Sequence, residues 1–575
     1  MSTAENLAEN LSENLAENFL SLRANASGYR RHKPEETLLY KVVQENLATV
    51  FQDLGLEEKQ LPAFVREEFD AFLDCGILSK GFLRLRCEKC GNEKLVAFSC
   101  KKRGFCPSCG GRRMADTAAH LVDNVFPVRP VRQWVLSFPY NLRYLFAYNA
   151  KALHQALQVM IRVIRRYYLN KGKIERGERG RKSKKGNKSK VEGGANKVSG
   201  KVSGKVSGKV SGNAEAGAET GAVTLIQRFG GSVNLNVHMH VLFLDGVFGA
   251  DDGAWTGVPA PTDEEVAEII LKIRQRVFRS LEKSGYIKGF DVNFDTDELY
   301  NEQNGFAELL IGSIRGVKCF GEGSARGRKI GTVGATCTTG VGHWVELRGN
   351  RCAYKDGFSL HANVCIPARD REGLEHLCRY IARPPIANER LSLNHEGNIL
   401  YKLKRPWNDG STHVKFTPEE MIGRLISLVP PPRIHLIRFF GVLAPNAKMR
   451  KLVVPAKKEK EKEGEGENGE VSKNELEEGK EAKRYRIQWA RLLKRVFKVE
   501  VTRCGCGGTL KIIAAITTSN AISKILGHFS LPAEAPVPFP ARAPPQIEMM
   551  NIEMEMEMDQ SVDQFYGHGL NHWEN

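Results

Sequence analysis

Three groups of side chains in this sequence have types and spacings suited to chemistry. The first is a pair of Cys-x2-Cys motifs, Cys87 with Cys90 and Cys106 with Cys109, separated by 15 residues. Each motif can turn two thiolates toward one point on a tight knuckle, and two knuckles complete a tetrahedral sulfur shell around zinc. Four thiolates leave no open coordination position, so such a zinc is expected to be structural. Cys75, Cys100 and His120 lie close by and leave room for ligand exchange or a second site. The nearby Lys101, Lys102, Arg103, Arg112 and Arg113 suit phosphate contacts, and suit a solvated basic face equally well. The second group is His238 and His240, in Leu235-Asn-Val-His-Met-His-Val-Leu-Phe-Leu244. On a strand both imidazoles share one face, with Met239 and Val241 on the other, and two convergent imidazoles can ligate one divalent ion. Alone, the pattern is more often two histidines on a half-exposed strand. The third is Tyr380, flanked by Arg379 and Arg383. A phenol oxygen can attack phosphorus when a metal polarises the phosphate and cations hold its charge. From the helix alone, an ordinary amphipathic tyrosine with solvated arginines is the simpler reading.

These groups need elements to position them. Apolar residues at helical spacing predict helices over 36–54 (Leu39, Val42, Val43, Leu47, Val50) and 62–75 (Phe64, Val65, Phe69, Phe72). The run 132–139 predicts a strand, followed by a long helix through Tyr168. Alternation and β-branching predict neighbouring strands over 223–229 and 235–244. Helices are expected over 264–283 and 371–382, the second stopped by Pro384 and Pro385. Strands and helices mix without a regular βαβ series, so the fold class is α+β. Cys504-Gly-Cys506 reads as a tight turn with reduced thiols, because one intervening residue makes a poor chelating knuckle and no second pair lies nearby. The five cysteines from Cys319 to Cys378 read as core or surface residues.

The 575 residues carry a formal charge of +18 and are 41% hydrophobic, enough for real cores. Three segments lack any apolar period and read as solvated: 171–212, which ends in four copies of Lys-Val-Ser-Gly, 456–483, and 547–575. Their net charges are +11, −3 and −7, so the patterned remainder keeps +17, a polyanion signal located where the chemistry would occur. The expected division is a low-complexity segment at 1–35 and a helical plus zinc-binding domain at 36–125. A catalytic domain at 126–170 and 213–450 follows, then a small C-terminal domain at 484–546 and an acidic tail at 547–575. No signal-peptide pattern opens the chain, and charge interrupts each apolar stretch before the roughly 20 residues of a membrane span. The protein therefore reads as cytoplasmic, where paired cysteines more often hold metal than form disulfides.

Five segments carry a family resemblance: Trp134-Val-Leu-Ser-Phe-Pro139, Gln227 to His240, Arg379-Tyr-Ile-Ala-Arg-Pro-Pro385, His435 to Pro445, and the cysteine stretch Cys87 to Arg113. In their order along the chain they resemble rolling-circle insertion-sequence transposases of the IS91 type, within the HUH (His-hydrophobe-His) single-strand endonucleases. The resemblance covers most of residues 36–545. It implies an antiparallel HUH-type sheet with helices, preceded by a helical and zinc-ribbon-like domain. It implies that His238 and His240 bind catalytic Mg2+ or Mn2+, that Tyr380 forms a 5′-phosphotyrosine, and that Cys87 to Arg113 belong to a zinc-binding domain. Family members with two tyrosines carry the second four residues after the first; here that position is Pro384, so the chain resembles the single-tyrosine branch.

The expected activity is nicking and rejoining of single-stranded or hairpin DNA ends by metal-assisted transesterification, with strand transfer into target DNA in a prokaryotic, nucleoid-associated setting. Arg379 and Arg383 would contact phosphate, and the basic segments 402–405 and 448–451 would help recognise the ends. No phosphate-binding loop is present, which argues against a nucleotide cofactor or a fused helicase. Asn236, Gln227 and, more weakly, His376 are candidates for a third metal ligand. The alternatives are a non-catalytic zinc-dependent DNA-binding protein (a decayed transposase), a replication initiator or relaxase sharing the chemistry, and, a poor third, a metallohydrolase built on the histidine pair.

Overall fold

The computed structural model describes residues 32–56, 61–175, 218–250, 252–287, 318–320, 345–407, 410–454 and 503–542. Residues 176–212, 456–483 and 547–575 of the expected low-complexity segments, most of 1–35, and 484–502 of the expected C-terminal domain lie outside them.

Apolar residues recurring every three or four positions form helices α1 (Leu38–Leu56) and α2 (Ala63–Leu73), whose Tyr40, Val43, Val65 and Phe69 join one core. Strands β1 (Phe82–Cys87) and β2 (Glu93–Ala97) make an antiparallel hairpin with Cys87 and Cys90 at its tip. Helix α3 (Pro107–Asn124) starts with Cys106 as N-cap and Pro107 in its first turn, where a proline's missing N–H is no loss. Then follow β3 (Val131–Ser137), α4 (Tyr140–Tyr148) and α5 (Ala150–Glu175). The last helix runs five residues into the expected linker. Lys171 pairs with Glu265, and Gly172 lies so close to Val247 that a Cβ would be 2.4 Å from it.

Strands β4 (Gly221–Phe229) and β5 (Leu235–Leu244) pair antiparallel, as their alternation predicts. Helix α6 (Asp263–Lys283) opens on a capping box between Thr262 and Glu265. Strands β6 (Cys352–Lys355) and β7 (Phe358–His361), helices α7 (Arg371–Ala382) and α8 (Pro418–Leu428), and strand β8 (Ile437–Gly441) complete the central unit. Its eight-stranded sheet runs Glu346–Leu347, β6, β7, β3, β5, β4, β8, with Cys365–Ile366 also on β3, and every pairing is antiparallel. At the β4–β8 edge only glycine fits position 441: φ is +59° and a Cβ would lie 1.9 Å from the Thr220 carbonyl.

Strand alternation sorts β3 and β5 into two faces. Trp134, Leu136, Met239 and Val241 face α5 and α6. Val131, Leu225 and Leu242 face α3 and α7, meeting Leu121, Val122, Leu374, Cys378 and Ile381. On this second face α3 and α7 lie side by side and antiparallel. Arg371, opening α7, donates to the carbonyls that close α3, at Val122, at Phe126 (3.0 Å) and at Pro127 (3.1 Å). At the opposite end, a Cβ on Gly110 would sit 2.6 Å from Pro384 Cβ.

The described part of the expected C-terminal domain does not stand apart. Strand β9 (Leu510–Ile516) pairs antiparallel with β1 and completes a three-stranded sheet, β9-β1-β2. Helix α9 (Ser519–His528) packs Ile522 and Leu526 onto Leu78 and Phe82. Beyond it, the Phe539 N–H donates to the Gln44 carbonyl at 3.0 Å and the Gln44 amide to the Val537 carbonyl at 2.8 Å. The free edge of β1 has backbone groups to satisfy, and residues from the other end of the chain satisfy them. Among the described residues, no helix is long and apolar enough to cross a membrane.

Candidate functional site

His238 and His240 leave β5 on the face covered by α3 and α7, with ring centroids 4.9 Å apart. Hydrogen bonds fix which nitrogens are free. The His238 Nδ1–H donates to the Asn236 carbonyl at 2.8 Å, and a carbonyl only accepts, so Nε2 carries the lone pair. His240 Nδ1 lies 2.7 Å from the Gln133 side-chain amide, and its Nε2 is buried without a hydrogen-bond partner. Burial holds both rings neutral, the ligating form. It pushes His238 down to about 4, with the Arg383 and Arg143 charges adding to it against the hydrogen bond to Asn236. It takes His240 well below the ordinary histidine range, with His238 and Arg383 adding to it.

Two amide oxygens join the pair. Gln227 stands directly opposite His238 across the β4–β5 ladder; its Nε2 donates to the Ile381 carbonyl, and its Oε1 is buried without a partner. The Oδ1 of Asn236, two residues before His238, is likewise buried and unpartnered. Orphaned buried polar atoms each cost about 1–3 kcal/mol, and a cation is the partner that would satisfy two oxygens and an imidazole nitrogen together. Among the described residues, no cluster of three or more His, Cys, Asp or Glu ligand atoms within 4.8 Å of one another includes the pair. His376 is exposed, and the charges around it are those of Arg379, Glu372, Glu375 and Asp370, so the structure does not bring it to the pair.

Tyr380 is 39% exposed near the end of α7. The Arg383 guanidinium lies 4.5 Å from its ring centre and the Lys404 ammonium 4.9 Å. Arg383 is extended (φ −59°, ψ 153°) because Pro384 follows it, and this backbone ends the helix. Its guanidinium also lies over Phe229 at 5.5 Å, and its charge reaches both imidazoles. One arginine therefore covers the tyrosine ring and also lends positive charge to the histidine pair, while the bond from Gln227 to Ile381 ties the same helix end to β4. Arg379 is half-buried, with its Nε enclosed and unpartnered. Lys404 belongs to the basic segment singled out in the sequence, but its place over the tyrosine had no sequence signal. Lys404 is exposed, yet partial desolvation by the groups crowded beside it, then the charges of Arg383 and Arg390, push its ammonium down to about 7.

The four cysteines expected at one site are split between two. Cys106 and Cys109 stand with Cys75 and Cys100, with sulfur separations of 3.4 Å (Cys100–Cys109) and 3.7 Å (Cys75–Cys109 and Cys75–Cys106). Cys87 and Cys90 stand with Cys504 and Cys506. The reason is the β1–β2 hairpin: a six-residue strand spans about 17 Å, which carries the first motif away from the second. His120 joins neither quartet. Backbone N–H groups of Cys100 and Lys101 donate to the sulfurs of Cys75 and Cys109, both at 3.3 Å, favouring the thiolate. Two nearby arginines brace this loop. Arg113 donates to the carbonyls of Lys101 (2.8 Å) and Lys102 (3.1 Å), and Arg103 to that of Ile434 (2.7 Å). Cys504 and Cys506 are what the sequence reading missed, because their partners lie more than 400 residues away.

Comparison with known families agrees with this layout. A family model described as "Putative transposase" matches residues 221–451, and one described as "Transposase zinc-binding domain", of the IS91 type, matches residues 43–138. No curated protein and no solved structure matches the chain. The first span holds the histidine pair and Tyr380; the second holds Cys75, Cys87, Cys90, Cys100, Cys106 and Cys109. The all-sulfur quartet of Cys75, Cys100, Cys106 and Cys109, wholly within the zinc-binding span, suits a structural zinc.

Proposed function

Because the chain belongs to the IS91-type transposases, with a zinc-binding domain leading into a transposase domain, we propose that it is an HUH endonuclease of mobile-element ends. It cuts and rejoins single-stranded DNA through Tyr380, in rolling-circle transposition. What chiefly supports the reading is one juxtaposition. His240 Nε2, Gln227 Oε1 and Asn236 Oδ1 are buried and unpartnered beside His238, on the face where Arg383 leads to Tyr380.

His238, His240 and the Gln227 amide would hold a divalent ion, with Asn236 the alternative oxygen. Mg2+ or Mn2+ bound there supplies withdrawal of charge from a non-bridging phosphate oxygen and eases departure of the 3′-oxygen. The Tyr380 oxygen forms a bond to phosphorus as the bond to the 3′-oxygen breaks. The phenol gives up its proton, the 3′-oxygen takes one up, and a 5′-phosphotyrosine and a 3′-hydroxyl remain. Arg383 and Lys404 hold the phosphate over the phenol, and Arg379 adds positive charge on the same helix. The ester keeps the energy of the broken bond, so rejoining needs no nucleotide cofactor. Pro384 occupies the position four residues after Tyr380, outside the helix, so a second phenol does not follow on the next turn, in keeping with a single-tyrosine mechanism. The partners are single-stranded or hairpin element ends and target DNA, in the cytoplasm at the nucleoid.

The test is a labelled single-stranded element end incubated with wild type, Tyr380→Phe and His238→Ala. Wild type should give a covalent protein–DNA adduct that needs Mg2+ or Mn2+, and neither variant should. An adduct from Tyr380→Phe would sink the assignment. Adduct without transfer to a second DNA would instead favour a replication initiator or relaxase. Metal-independent binding without any adduct would favour a decayed transposase.

A further inference from the structure

The second quartet is assembled from the two ends of the chain. Cys87 and Cys90 sit at the tip of the β1–β2 hairpin, and Cys504 and Cys506 sit in the turn before β9. The sulfurs of Cys87 and Cys506 are 3.5 Å apart, those of Cys90 and Cys504 3.6 Å, and all four lie within 4.8 Å of one another. Zinc–sulfur bonds of about 2.3 Å put the edges of a tetrahedral site at about 3.8 Å, whereas a disulfide would bring two sulfurs to about 2.05 Å.

The backbone is shaped around this point. Each turn folds back on itself: the Gly91 N–H donates to the Cys87 carbonyl at 3.0 Å, and the Gly507 N–H to the Cys504 carbonyl at 2.9 Å. Both glycines are left-handed, with φ of +70° and +82°. A Cβ on Gly508 would lie 2.7 Å from the Cys87 sulfur and 2.6 Å from Lys89 Cβ, so the two turns meet with no room for a side chain. The Glu88 N–H donates to the Thr509 carbonyl at 3.1 Å, locking one turn to the other. Thiols are weak hydrogen-bond partners, and four of them converging, two exposed (Cys90 and Cys506), have little to hold them together without a cation.

We propose that Cys87, Cys90, Cys504 and Cys506 bind a second zinc ion, separate from that of Cys75, Cys100, Cys106 and Cys109, and that it clasps the C-terminal segment onto the N-terminal domain. Half of its ligands lie outside both matched family spans. The clasp converts the Cys-Gly-Cys-Gly-Gly turn into the second half of a metal knuckle pair, and it fixes β9 on the edge of β1.

Zinc content of the purified full-length chain tests this, measured by mass spectrometry of the metal after dialysis against a weak chelator. Wild type should hold two equivalents. Cys504→Ser/Cys506→Ser should hold one and lose half of the thiolate-to-cobalt charge-transfer absorption after replacement by Co2+. Cys90→Ser, at an exposed position on the opposite turn, should weaken the same equivalent and leave the other in place. A single equivalent in wild type overturns the proposal without any variant, and so do two tightly held equivalents in the Cys504/Cys506 double variant.

Discussion

The sulfur quartets and the histidine face are opposites as sets of donor atoms. Each quartet is closed: four like donors lie within contact of one another, and at the first quartet backbone N–H groups favour the charged form. The histidine face is open: two rings held neutral by burial, two amide oxygens without partners, and two cations over a half-exposed phenol. A closed shell stabilises its surroundings and has nothing left to offer a substrate. An open one leaves groups unsatisfied in the folded chain and keeps them for what binds later. Cys106 and Cys109 lie at the start of α3 and Tyr380 near the end of its antiparallel neighbour α7, so part of the first quartet and the phenol stand at the same end of one helix pair.

The contrast can be broken most directly at the first quartet. Structural zinc contributes on the order of 10 kcal/mol, comparable with the whole stability of a domain. Cys106→Ala should therefore unfold α1 and α2, seen as loss of hydrogen-exchange protection over 38–56 and 63–73. Retention of wild-type protection there would refute the closed, stabilising role. At the open site the opposite balance is expected. Gln227→Leu should lower adduct formation about 10- to 100-fold, while thermal stability falls by no more than about 1–2 kcal/mol, because removal of the orphaned oxygen offsets loss of the bond to the Ile381 carbonyl. A large drop in Tm without loss of adduct would reverse the assignment.

The connection between the regions is sharpened by Gly110→Val. The added atoms meet Pro384, which should cost about 1–3 kcal/mol and reduce adduct formation while zinc content stays unchanged. Unchanged cleavage would separate the two helices functionally. The smallest effect concerns charge. Lys404 is pushed down to about 7 in the free protein, and a DNA phosphate beside it would return it toward the ordinary value of about 10.4. Binding above pH 7 then takes up a proton, so affinity of the metal-free protein for single-stranded DNA should fall roughly fivefold from pH 7 to pH 8. Lys404→Arg, charged throughout, should flatten that profile in a fluorescence-anisotropy titration.

What was legible in the sequence was local. The alternation of β4 and β5, the helical period of α7 and its stop at Pro384 need only near neighbours, and they place His238, His240 and Tyr380 on the right elements. Two of the three third-ligand candidates, Gln227 and Asn236, follow from strand register and keep unpartnered oxygens; the helical candidate His376 does not approach. Distant partners were invisible. Cys504 and Cys506 looked like an isolated turn because their ligand partners lie more than 400 residues earlier. Proximity in sequence also misled, since the β1–β2 hairpin separates the two Cys-x2-Cys motifs. For Arg103 and Arg113 the undecided choice between phosphate contact and solvated face had a third answer, support of the cysteine loop through its carbonyls and that of Ile434.

The pairing of β9 with β1 bears on how this chain is made. A ribosome adds about 5–20 residues each second. Cys504 lies 414 residues after Cys90, so it emerges some 20–80 s later, at that rate. Until then the hairpin waits with one edge bare, and a polypeptide ended early never closes it. The N-terminal domain is thus finished last, and its completion registers that the whole eight-stranded sheet has already been synthesised.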